Sequence, residues 1–161
     1  VSDGTVISGY ASLFGKSDQG GDIVEKGAYG ASLAKGRGVK MLWQHDPAQP
    51  IGVWDEVRED AKGLWVKGRL LTDIAKGREA ASLIAAKAID GLSIGYRTVR
   101  ARKDDKGGRL LSELELWEVS LVTFPMLPDA REGAKGDDPA ETAMREMAAA
   151  FESARQMMAR D

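Results

Sequence analysis

The sequence predicts a β-rich α+β domain, folded as a small barrel or a strongly curled sheet. Three observations lead there. Six or seven segments rich in β-branched and aromatic residues are separated by glycine- and proline-bearing turns. Only two helical segments interrupt them, without regular βαβ alternation. The 161 residues, 43% apolar and 30% charged, suffice for one core, and they must form it without disulfides because the chain has no cysteine.

Taken in order, Val6 to Phe14 reads as a strand, with Gly9 marking a bulge or a close backbone approach. The following GKSDQGGD is a loop of turn formers. Glu25 to Ala34 is expected as a short helix weakened by Gly27 and Gly30, and Gly36 to Gly38 end it. Val39 to Gln44 is a second strand running into His45-Asp46-Pro47. Ile51–Val57 and Leu64–Leu71 form a hairpin, with Gly63 expected at the positive-φ position of its turn.

Thr72 or Asp73 can cap a helix to about Lys87, whose apolar face collects Ile74, Ala80, Ala81, Leu83, Ile84 and Ala88, and Asp90-Gly91 stop it. Leu92 to Arg102 and Leu110 to Thr123 are strands around a turn at Asp104 to Gly108. Pro125 and Pro128 end the sheet region, since proline donates nothing to a ladder. The expected organisation is a domain over 1–128, a polar linker over 129–138 and a helix over 139–161. Asp138, Pro139 and Glu141 supply that helix's cap signals, and Met144, Met147, Phe151, Ala154 and Met158 its apolar stripe.

Composition removes several function classes. Lys+Arg (23) nearly balances Asp+Glu (25), so the basic excess of a nucleic-acid binder is missing and no nucleic-acid partner is expected. No apolar run approaches the ~20 residues that span a bilayer, and the first residues lack a basic-then-apolar signal pattern, so no membrane association is expected. Without cysteine there is no thiolate zinc site or cysteine nucleophile, and with a single histidine no multi-imidazole metal site within one chain. The expectation is therefore no metal and no cofactor.

Three residues remain that could carry chemistry. His45 leaves a core-bound strand, and Pro47 constrains the exit, so its imidazole has the defined orientation a general base needs; a plain, hydrogen-bonded surface histidine is the alternative. Ser93 lies in GLSIG, with Gly91 and Gly95 two residues either side on its own strand face. Missing side chains there are expected to leave room for a substrate backbone, although a solvent-face serine would look the same. The G-x-S-x-G spacing lacks the strand–turn–helix context of an α/β-hydrolase. Glu118 sits in LWEVSLV, a strand too apolar to hold a carboxylate without a partner. That partner is either an arginine (Arg97, Arg100 or Arg109) or the far nitrogen of His45, where a carboxylate would fix the imidazole tautomer.

Together, GYASLF, GDIVEKGAY, LWQHDPAQPIG, GLWVKGRL, GLSIGYR and LWEVSLVTFP, in this order between Gly9 and Ala130, resemble the prohead (capsid maturation) serine proteases of HK97-type tailed phages and related gene-transfer particles. The resemblance implies a small, mainly antiparallel β-barrel like the herpesvirus assemblins, with helices packed around it. It implies a serine endopeptidase with Ser93 as nucleophile and His45 as base. The herpesvirus relatives use a second histidine as third member; this chain has none, so the role falls to Glu118, with Asp46 as runner-up. By the same resemblance the substrates are the scaffolding segment of the major capsid protein, the scaffold, and the enzyme itself. The setting is the assembling procapsid in the bacterial cytoplasm, and a homodimer is compatible with it. The competing reading is a scaffold or capsid-assembly protein that has kept the fold and lost activity.

Overall fold

The computed structural model describes residues 5–133 except residue 37. The helix expected over 139–161 lies outside the described residues, as does the second half of the linker, 134–138. Among the described residues, seven strands and two helices follow one another as β1 (Val6–Leu13), β2 (Asp22–Val24), α1 (Gly30–Ala34), β3 (Lys40–Trp43), β4 (Asp46–Glu59), β5 (Gly63–Leu70), α2 (Ala75–Ala85), β6 (Gly91–Lys103) and β7 (Arg109–Val122). They form one sheet, ordered β1-β5-β4-β3-β7, with β6 on β7 as well. All pairs are antiparallel except β2 and β3, which run parallel to different stretches of β7. The sheet curls around Ile7, Met41, Ile51, Leu64, Val66, Leu92, Val119 and Leu121, each almost wholly removed from solvent.

The outer strands β1 and β6 are stitched together by the chain after β7. Leu92 N–H donates to Ala130 O (2.7 Å), Glu132 N–H to Asp90 O (2.7 Å) and Gly133 N–H to Ser8 O (2.7 Å). Residues 130–133, which composition assigns to a linker, are thus hydrogen-bonded into the sheet. Gly9 marks the close approach expected of it: a Cβ there would collide with the carbonyl of Arg131.

Several local expectations are corrected. The loop after β1 runs into a short strand, β2, to which the sequence reading assigned no element. The first helix begins only at Gly30, because Gly27 takes φ +87° and breaks the turn begun at Glu25. Gly63 has no positive φ; it starts β5, and the space its side chain would need is filled by Ser12 O and Leu13 Cα of β1. The turn itself is organised by Asp60, whose Oδ1 accepts from Lys62 N (2.8 Å) and Gly63 N (3.0 Å). Ile74 is the N-cap of α2 and has no side-chain cap bond. The helix ends at Ala85, close to the expected Lys87, but what stops it is Lys87 itself rather than Asp90-Gly91: Lys87 lies in the left-handed region (φ 60°), its N–H bonds Ile84 O (2.9 Å), and Ala88 N bonds Leu83 O (2.8 Å). This is a Schellman ending without its usual glycine.

Candidate active site

The site is built on the β6–β7 ladder. Ser93 pairs with Ser120, and Gly95 pairs with Glu118. With period-2 alternation, Ser93, Ser120 and Glu118 share one face while Leu92, Val119 and Leu121 point to the core. Ser93 is only 4% exposed and Ser120 is fully buried.

His45 arrives from the other side of β7. Trp43 pairs with Asp46, so Gln44 and His45 are the two central residues of the tightest β3–β4 hairpin, and both have positive φ (51° and 61°). Such a turn favours Asn or Gly; two larger residues there cost on the order of 1–3 kcal/mol each. His45 therefore sits on a turn tip rather than at a strand end as expected. The tip is held down. Gln44 N–H donates to Leu121 O (2.9 Å), Gln44 Nε2 to Thr123 Oγ1 (2.7 Å), and His45 N–H to Ser120 Oγ (3.0 Å).

From that tip the imidazole spans the ladder face. Its Nε2 lies 2.9 Å from Ser93 Oγ, and its Nδ1 contacts Glu118 Oε1. An ionised carboxylate can only accept, so Nδ1 carries the hydrogen and Nε2 is left as acceptor toward the serine hydroxyl. The other Glu118 oxygen accepts from Ser120 Oγ. Ser120 thus joins the carboxylate and the His45 backbone in one small network. Sequence reading overlooked Ser120, although its spacing of two from Glu118 on an alternating strand was the signal. It also overlooked the clamp between Gln44 and Thr123.

The arginines weighed as partners for Glu118 go elsewhere or lie apart from it. Arg97 pairs with Glu115 (2.9 Å), and Arg109 with Asp22 (2.8 Å). Arg100 O accepts from Ser112 Oγ at the far end of the hairpin. Asp46 closes an Asx turn onto Ala48 N (2.9 Å). The reading of Gly91 and Gly95 as room for substrate is overturned. A Cβ on Gly91 would meet Val122 O and Pro125 Cδ, and one on Gly95 would run into the Glu118 side chain. Gly95 is the socket for the carboxylate.

Beside Ser93, a cavity of about 240 Å³ opens between β1 and β6. Its far end holds Asp22, whose carboxylate takes both the Nε (3.0 Å) and an Nη (2.8 Å) of Arg109 and the hydroxyl of Tyr96 (3.1 Å). The Arg109 guanidinium holds the Asp22 carboxyl below its ordinary value against the opposing effect of burial. Burial and the neighbouring Asp22 push the Tyr96 phenol up to about 12.

A family model described as caudovirus prohead serine protease matches residues 1–145. The chain belongs to this family. Among curated prohead proteases, that of Enterobacteria phage HK97 is 34% identical over 127 residues, covering 74% of this chain and 55% of the relative. That of Escherichia phage T5 is 30% identical over 130 residues, covering 77% and 60%. The chain therefore spans little more than half the length of these prohead proteases. The solved bacteriophage T4 capsid assembly protease superposes with a TM-score of 0.58 at 16% identity, over 73% of this chain and 80% of that one, which shows a shared fold. The expectation of a β-rich sheet with few helices around it holds for this prohead protease family member.

Proposed function

We propose that the chain is a serine endopeptidase of capsid maturation, with Ser93 as nucleophile, His45 as general base and Glu118 as the group that orients and charges the base. One observation carries this reading: a single imidazole hydrogen-bonds the Ser93 hydroxyl through Nε2 and the Glu118 carboxylate through Nδ1. His45 takes the Ser93 proton as Oγ adds to the scissile carbonyl, and Glu118 stabilises the resulting imidazolium. The proton then passes to the leaving amine, and water repeats the cycle on the acyl-enzyme. Family membership and the names of the relatives support a setting in capsid assembly; the substrates proposed there, inside the procapsid, are the major capsid protein's scaffolding segment, the scaffold and the enzyme itself.

A serine-directed fluorophosphonate tests the chemistry. Labelling at Ser93 that His45→Ala abolishes is the expected result. An unlabelled wild-type protein under assembly conditions would favour an inactive scaffold on the same fold. Co-expression with the capsid gene, followed by mass mapping of the capsid protein's new N-terminus, tests the substrate.

A further inference from the structure

We infer that the cavity between β1 and β6 is the pocket for the substrate side chain immediately before the scissile bond, and that it selects a long, non-acidic one. This rests on the peptidase reading above and deepens it. The cavity begins at Ser93 and extends along β6 to Tyr96, three residues or roughly 10 Å at strand rise. Its volume of about 240 Å³ exceeds the ~150 Å³ cavity that admits a benzene ring, yet falls short of the ~300 Å³ where drug-sized pockets begin. That is room for one large side chain.

The backbone is arranged to present it. Leu92 N–H points away from β7, to Ala130 O. By the alternation of an antiparallel ladder, the N–H and C=O of Ile94 point the same way, toward the cavity that Ile94 lines. An extended peptide laid along this edge gains main-chain hydrogen bonds next to the nucleophile.

Wall chemistry sets the preference. Leu13, Val24 and Leu92 are buried and apolar, and suit a methylene stem. At the far end stand two carboxylates, Asp18 and Asp22. Asp22 is occupied by Arg109 and Tyr96, and Asp18 Oδ1 accepts from Gly20 N (2.8 Å) and Asp22 N (2.9 Å). Lys16, also in the wall, is held by Asp129 (2.9 Å). With their partners in place these groups do not require a cation, but a substrate carboxylate would lie beside two like charges, and the one cation among the described wall residues, Lys16, is already paired with Asp129. Methionine, glutamine and lysine fit; aspartate and glutamate do not.

The test uses quenched peptides that differ only in the residue before the cleaved bond. For the wild-type chain, kcat/KM for Met and Lys should exceed that for Ala and Glu by about 10-fold or more. Asp18→Asn keeps the turn acceptor and should narrow the Lys-to-Glu ratio several-fold. Met126→Trp, at the half-exposed rim, should erase the advantage of Met over Ala. Glu or Ala equal to Met, or ratios untouched by both variants, overturns the inference. If Ser93 still labels with fluorophosphonate in that case, the peptidase reading stands without it; loss of both labelling and cleavage in the wild type overturns both.

Discussion

The socket at Gly95 gives the sharpest expected outcome, because activity should fall much further than stability. Gly95 faces Glu118 across the β6–β7 ladder, and a Cβ added there would stand 2.7 Å from both Cγ and Cδ of Glu118 and closer still to Oε1. Ordinary contact begins at 3.4 Å, so in Gly95→Ala the carboxylate must retreat by at least about 0.7 Å (3.4 − 2.7) from its place against His45 Nδ1. The obstructing atoms belong to a side chain, so the backbone has no need to shift. Alanine in place of a strand glycine also removes unfolded-state freedom, worth about 0.5–1 kcal/mol. A displacement of this size at a reacting constellation costs roughly 10²-fold. The expected result is a kcat for peptide cleavage lowered about 10²-fold, with a thermal midpoint that changes little because the gain from replacing glycine offsets the weakened Glu118 hydrogen bonds. In a Glu118→Ala background the same substitution should cost little, because its target is already gone. Wild-type kcat in Gly95→Ala, or an equal loss in both backgrounds, would refute the reasoning.

Other outcomes follow from the same geometry. Ser93→Ala and His45→Ala should each lower turnover by roughly 10⁴ or more without summing in the double variant, and Glu118→Gln should cost less, as read in single-turnover assays. Ser120→Ala leaves His45 N–H and one Glu118 oxygen without their partner, and should lower stability by about 1–3 kcal/mol in urea melts along with kcat. Asp22, its carboxyl held below 3.8 by Arg109, stabilises the fold fully above that value, and its contribution fades as pH falls through the depressed folded value. The stability advantage of wild type over Asp22→Asn should therefore shrink below pH 3.8, and a constant difference in urea midpoints across the acid range would contradict the pairing.

Much of the fold was legible because strands announce themselves locally. Alternation and β-branched content marked β1, β3, β5, β6 and β7, and the Asp104–Gly108 turn announced the β6–β7 hairpin. Errors clustered where a neighbour from elsewhere in the chain decides the conformation. Gly63 looked like a turn residue, but β1 packs against it; β2 is too short to show a period. Gln44 and His45 carry no glycine or asparagine to signal a left-handed turn, yet hydrogen bonds to Leu121, Thr123 and Ser120 hold them in one.

By itself the sequence determined the inventory: a β-rich chain with one imidazole, a serine between glycines, a carboxylate in an apolar strand, and a block order characteristic of one family. Tertiary structure alone decided their neighbourhood. A period of two reports which face a residue occupies, not which strand lies beside it. Only the pairing of β7 with β3 on one edge and β6 on the other brings residues 45, 93 and 118 within hydrogen-bonding distance. It also reverses the meaning of Gly95, from open space for a substrate to the seat of a carboxylate.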